Sequence, residues 1–295
     1  MTTIESKWTE KNIADQEGRT FIVTGANSGL GEVAARALVG AGATVVLACR
    51  NTDKADTVAR SIGTRAVVAH LDLSDLSSVR KFAASVDSVD VLINNAGVMA
   101  IPQAKTVDGF EMQFGTNHLG HFALTGLLLG KLTDRVVTLS SGMHQFGSID
   151  LDDPNFERRK YERWTAYNQS KLANLMFAYE LQRRLTAAGS PLKSLAAHPG
   201  YAATGLQGKT ETFQDRLLAI GNRVLAQSAE MGALPELYAA TAPDAPAGRY
   251  IGPDGFQGQR GYPTVVGSTK KSKDEEVAAK LWDLSEKLTG VKFAF

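Results

Sequence analysis

The sequence predicts an α/β fold in which a doubly wound parallel sheet carries helices on both faces. Three observations predict it. From Gly18 onward, short β-branched runs alternate with longer helical patterns. The strand-like runs are apolar on both sides, as strands lying between two helical layers must be. The chain of 295 residues, 43% of them hydrophobic, can fill one large core. We therefore expect an N-terminal arm over residues 1–17 and a single domain over 18–295.

The elements follow in order. "RTFIVTG" is the first strand, and a helix runs from Gly29 to Ala41 directly after its glycine-rich turn. "ATVVLAC" is the second strand, followed by a helix near Asp53 to Ser61; "AVVAHLDL" is the third, followed by a helix from Asp75 to Val86. "VDVLINNAG" and "RVVTLSS" continue the series, then a helix holding Tyr167, then "LKSLAAHPG". No repeat, low-complexity tract or Pro/Gly/Ser linker divides the chain. Residues 142–163, with "DDPNFERRKYERW", and residues 201–228 are the least regular, as expected of surface insertions that shape a substrate site. Within the second of these, Leu206, Phe213, Leu217, Leu218, Ile220, Val224 and Leu225 form either the docked face of a helix or a lid over an oily substrate.

Thirty-two basic and 31 acidic residues leave a formal charge of +1, which gives no general pull toward nucleic acid or an anionic membrane. Small molecules, or like subunits in a homo-oligomer, remain as partners. The only cysteine, Cys49, has no internal disulfide partner. The opening "MTTIESKWTEKNIADQEG" is polar, with neither the apolar run of a signal peptide nor a membrane span, so a cytoplasmic protein is expected. His118, His121, His144 and His198 lack metal-ligand spacing, read as structural or solvated, and no metal is expected.

"TGANSGLG" follows the first strand and opens the first helix, the context a phosphate-binding turn requires. Gly25 permits a sharp turn, Gly29 lets backbone approach a pyrophosphate, and Gly31 lets helix and strand pack closely, while free amides at the helix start face the anion. The second strand ends "LACRN" without the acid that would accept from an adenosine ribose; Arg50 there offers a fork of donors suited to a 2′-phosphate. This favours NADP(H) over NAD(H). "LDL" (71–73) and "NNAG" (94–97) close the next two strands on the carboxyl edge, where Asp72 can accept from an adenine amino group and Asn95 to Gly97 turn without bulk. In "TAYNQSKLANLMF" Tyr167, Lys171 and Asn174 share one helix face, so a phenol and an ammonium lean into the same space. A nearby cation favours a phenolate, bringing a group of ordinary pKa ~10 toward neutrality.

"TGANSGLG", "NNAG", "NHLGHF", "RVVTLSS", "YNQSK" and "HPG" occur here in an order that resembles the short-chain dehydrogenase/reductase family, over nearly the whole chain after the arm. The long segment before "YNQSK", with the "KLANL" that follows, resembles its retinol-dehydrogenase-like branch. The resemblance implies a Rossmann-type domain with a seven-stranded parallel sheet, and an oxidoreductase that interconverts an alcohol with a ketone or aldehyde, the substrate expected to be lipophilic. It carries the catalytic positions over to Asn117, Ser141, Tyr167 and Lys171. Ser140, the rival for the serine, points to the opposite face of the strand end; the family's serine is the second of such a pair. Asn117 would hold a water that relays the proton. The cofactor-facing set becomes Gly25, Asn27, Ser28, Gly29, Leu30, Gly31, Arg50, Asp72, Leu73, Asn95, Ala96, Gly97, Tyr167, Lys171, Pro199, Gly200 and Thr204. A nucleotide-sensing regulator has no need of the tyrosine pair, and a nucleotide-sugar epimerase is disfavoured by the glycine spacing and by the lack of a sizeable C-terminal substrate domain.

Overall fold

Alternate side chains of the first strand, β1 (Thr20–Thr24), enter opposite layers: Phe21 and Val23 join one apolar cluster and Ile22 the other. The same alternation continues across the sheet, because every central strand is covered on both sides. The structure, a computed structural model, describes residues 7–201 and 227–295. Thr204 and the apolar positions from Leu206 to Leu225 lie outside the described residues.

The strands are β1, β2 (Thr44–Cys49), β3 (Ala66–His70), β4 (Val89–Asn94), β5 (Leu132–Leu139), β6 (Lys193–Ala197), β7 (Tyr250–Pro253) and β8 (Pro263–Val265), in the spatial order β3-β2-β1-β4-β5-β6-β7-β8. The first seven run parallel, as expected. Among the described residues the sheet has eight strands rather than the seven the resemblance implies. The extra strand folds back antiparallel on β7, pairing Pro253 with Pro263 and Ile251 with Val265. Its three residues begin with a proline, which is tolerated at such an edge.

The helices are α1 (Gly29–Gly40), α2 (Thr52–Ile62), α3 (Leu76–Ala84), α4 (Met112–Phe114), α5 (Gly120–Leu128), α6 (Arg163–Ala187), α7 (Ala229–Thr241) and α8 (Glu275–Thr289). A π turn at Gly115–Leu119 joins α4 to α5. Leu38, Leu234 and Tyr238 pack on the Phe21 side of the sheet, where Trp8 of the N-terminal segment is buried edge-on against Tyr238 at 5.4 Å. Phe122, Phe177 and Trp282 pack on the Ile22 side. Strand order turns back between β1 and β4, and in open parallel sheets ligands bind outside the carboxyl ends of the strands at such a switch point. Among the described residues, no helix is long and apolar enough to cross a membrane.

Helix α7 carries a group at odds with its surroundings. Glu236 is 1% exposed, and neither carboxylate oxygen has a hydrogen-bond partner among the described residues. Burial pushes its carboxyl up to about 8. The folded protein thus holds a proton that the unfolded chain releases near pH ~4.5, so stability is withdrawn progressively as pH rises from there to about 8. Glu236→Gln keeps the size and has no proton to lose. Thermal unfolding should show the variant gaining on the parent between pH ~4.5 and 8, with the gain largest at the top of that window. Parallel stability curves would show that Glu236 does not hold this proton.

Candidate active site

Geometry gathers most of the expected positions in one place. A cleft of about 410 Å³ runs along the carboxyl ends of β1 to β5. Gly25, Asn27, Ser28, Gly29, Leu30, Gly31, Arg50, Asp72, Leu73, Asn95, Ala96, Gly97, Tyr167, Lys171 and Pro199 line it. Asn117, Ser141 and Gly200 are not part of its wall, and Thr204 lies outside the described residues.

At the β1 end, Ser28 precedes α1 in extended backbone, and the first helical amides open onto the cleft. Gly31 is a site of close approach: a Cβ there would lie 2.5 Å from the Asn95 Nδ2 and 2.8 Å from the Gly25 carbonyl. The Asn95 side chain cannot yield cheaply, because its Nδ2 donates to the Thr24 carbonyl at 2.7 Å. The Thr24 hydroxyl in turn accepts from the Asn95 and Ala96 amides at 3.0 and 2.9 Å. The turn after β4 is thereby fastened to the end of β1. Asp72 is steadied by Ser74, whose amide and hydroxyl both donate to its Oδ1. At the far end, Arg50 is exposed and Asn51 caps α2 by accepting from the Lys54 amide at 2.9 Å. Asn27 donates to the Asn51 carbonyl, drawing this corner toward α1. Arg50 and Lys54 both line this end, and Asp72 is the acid among the described residues of the wall.

At the other end, α6 presents Tyr167 and Lys171, both largely buried. The Lys171 ammonium lies 5.8 Å from the Tyr167 ring centre and donates to the Leu139 carbonyl at 3.3 Å. Burial pushes the phenol up to about 12 against the lowering effect of its hydrogen bond with Ser141. It also pulls the ammonium down to about 8. The expectation that Lys171 draws the phenol toward neutrality therefore meets a larger opposing effect in the protein itself. The two serines separate by partner: the Ser140 hydroxyl donates to the Lys171 carbonyl at 2.7 Å, while Ser141 meets Tyr167.

Asn117 lies in the π turn rather than in a plain helix. Its Oδ1 accepts from the Val98 amide at 2.8 Å, and its Nδ2 donates to the Val98 carbonyl and the Ser170 hydroxyl at 2.9 Å each. Gly97 lets this turn close up, since a Cβ there would lie 3.1 Å from Asn117 Oδ1 and 3.5 Å from Lys171 Nζ. The irregular 142–163 segment is anchored rather than loose. Asp153 accepts from the Glu157, Arg158 and Arg159 amides, and Arg159 reaches Gln169 of α6 at 2.6 Å.

A family model described as short chain dehydrogenase matches residues 19–215. The chain belongs to the short-chain dehydrogenase family. It is an oxidoreductase acting on CH–OH donors, of retinol-dehydrogenase-like type. Human retinol dehydrogenase 13 is 42% identical to this dehydrogenase over 294 residues, covering 93% of this chain and 86% of that protein. The crystal structure of an uncharacterized protein from Mycobacterium Paratuberculosis is 51% identical, covers 98% of this chain and 100% of its own, and superimposes with a TM-score of 0.87. An NAD(P)-dependent gluconate 5-dehydrogenase from Beutenbergia cavernae, solved with bound NADP, is 26% identical over 80% of this chain and 95% of its own, with a TM-score of 0.60.

Several residues in and behind the wall of the dehydrogenase cleft escape the sequence reading. Lys54 is one, although an asparagine three residues before it signals a helix start at the same strand end. Trp164, edge-on to Tyr167 at 6.1 Å, is signalled by its spacing of three on α6. Thr24 gives no local signal, because its hydroxyl works on a turn 71 residues away. The four histidines named above are all buried, so the solvated alternative is excluded.

Proposed function

We propose that this dehydrogenase interconverts a lipophilic alcohol with its aldehyde or ketone in the cytoplasm, using NADP(H) in preference to NAD(H). The observation that carries the reading is the meeting of Tyr167, Ser141 and Lys171 at one end of a cleft whose other end holds Arg50 and Lys54. The glycine-rich turn suits a dinucleotide because Gly31 lets it pack closely against the turn after β4 while Ser28 to Gly31 face the cleft, and because the end suited to a 2′-phosphate is basic. Gly25 to Gly31, Asp72 and Asn95 to Gly97 would hold the adenosine and pyrophosphate. The dinucleotide, when bound, delivers or accepts the hydride. Met99 and Met112 in the wall, and the retinol in the names of the relatives, support an apolar substrate.

The protein's own part is proton transfer. In reduction the Tyr167 phenol donates to the carbonyl oxygen, and its raised pKa keeps it protonated for that task. Ser141 hydrogen-bonds the same oxygen and stabilises the charge that develops there. In oxidation Tyr167 takes the proton back as phenolate, which burial opposes and a positive charge on Lys171, 5.8 Å from the ring, would favour. Asn117 holds Val98 and Ser170 around this pair.

The test is a screen of NADPH consumption over aliphatic, steroid, retinoid and quinone-like carbonyls. Tyr167→Phe should keep dinucleotide affinity and lower turnover by roughly 10²-fold or more, the scale of a positioned acid/base. Undiminished turnover would remove Tyr167 from the chemistry. Binding titrations should show NADPH tighter than NADH, with Arg50→Ala weakening NADPH alone by about tenfold to hundredfold, as for a charge-assisted contact. Equal losses for both dinucleotides would mean that Arg50 does not read a 2′-phosphate.

A further inference from the structure

His121 of α5 does not line the cleft, yet it stands between the two halves of the site. It is 1% exposed, and both ring nitrogens are engaged. Its Nδ1 lies 2.9 Å from the Asn117 carbonyl, which can only accept, so Nδ1 carries the hydrogen. Burial pulls the imidazole down to about 4, the Lys171 charge adding to the effect, so the ring is neutral and Nε2 is a bare acceptor. The Thr24 hydroxyl, 2.9 Å from Nε2 and 3.4 Å from the Ile93 carbonyl, therefore donates to the nearer imidazole nitrogen. That orientation leaves the Thr24 oxygen free to accept the Asn95 and Ala96 amides, as observed.

From the other nitrogen the chain of bonds runs toward the chemistry. His121 fixes the backbone of Asn117, Asn117 donates to the Ser170 hydroxyl, and Ser170 donates to the Tyr167 carbonyl at 2.8 Å. One imidazole thus ties the turn after β4, which faces the dinucleotide, to the helix that carries the tyrosine. The tie has a direction at each end, set by the tautomer. We propose that His121 is a positioning residue with two separable arms: the Nε2 arm, through Thr24, sets dinucleotide affinity, and the Nδ1 arm, through Asn117, sets turnover. This rests on the dehydrogenase reading above.

The arms can be cut one at a time. Asparagine places its Nδ2 where the histidine Nδ1 sits and so keeps the Asn117 bond, losing the Thr24 bond. Glutamine reaches the Nε2 position and does the reverse. NADPH binding followed by fluorescence, kcat with the best carbonyl from the screen, and melting temperature are measured for the parent, His121→Asn and His121→Gln. His121→Asn should weaken NADPH by roughly tenfold, the scale of one buried hydrogen bond, while lowering kcat less than His121→Gln does. His121→Gln should lower kcat by roughly tenfold while disturbing NADPH affinity less than His121→Asn does. His121→Phe keeps the ring and cuts both arms, so both quantities should fall; if it does not fold, the other two variants still decide. Losses in affinity and kcat that track melting temperature together in both variants, a reversed ordering, or no loss in either, would overturn the proposal. A parent that binds no dinucleotide would instead refute the dehydrogenase reading, so the two failures are distinguishable.

Discussion

A buried cation with no counter-ion among the described residues is the constraint on which the rest of the site depends. Lys171 is 6% exposed, with the Leu139 carbonyl as its hydrogen-bond partner, and burial alone accounts for the lowered pKa of its ammonium. A carboxylate beside it would pin the charge and cancel its field; a carbonyl satisfies one donor and leaves the field available to Tyr167. The arrangement is costly, because a desolvated charge gains little from a neutral acceptor. It persists because α6 is buried without interruption from Ala166 to Ala178, so its polar face there looks into the protein rather than into solvent.

Holding that pair in register takes structure from distant parts of the chain. Asn174, one turn after Lys171, shares the Leu139 carbonyl at 3.0 Å, and Ser140 of the same strand end holds the Lys171 backbone. The π turn puts Asn117 between the turn after β4 and α6. Gly97 is the position where bulk would push that turn away from both Asn117 and Lys171. The glycine-rich turn after β1 meets the same network through Asn95 and Thr24. The glycine-rich end of the cleft and the end that holds Tyr167 and Lys171 are thus joined by one hydrogen-bonded network at the switch point of the sheet.

The sequence displays what strand ends must display. A turn that approaches a pyrophosphate needs glycine, and a phenol that needs a cation places it four residues on, so "TGANSGLG", "NNAG" and "YNQSK" are legible by spacing. The parallel alternation is legible because buried strands cannot afford polar sides. Less visible is whatever depends on a partner far along the chain. β8 is three residues, and its pairing is set by a return loop in which the Asp254 and Tyr262 backbones bond at 2.8 Å. Thr24 and His121 are 97 residues apart in sequence and 2.9 Å apart in the fold. Helical periodicity correctly groups Tyr167, Lys171 and Asn174, but it cannot tell a solvated face from one sunk against β5. The desolvation that dominates both pKa values is for that reason invisible in the sequence.

Desolvation is also the claim most directly open to measurement. Heteronuclear NMR of protein labelled at the tyrosine Cζ and lysine Cε, with Tyr167→Phe and Lys171→Met used to assign the signals, follows both groups in one pH titration without dinucleotide or substrate. Lys171 should lose its proton near pH 8, and Tyr167 should keep its proton until about 12. A Tyr167 that ionises below its ordinary value of ~10, or a Lys171 that stays charged beyond ~10, would contradict the account, because burial would then not govern the pair.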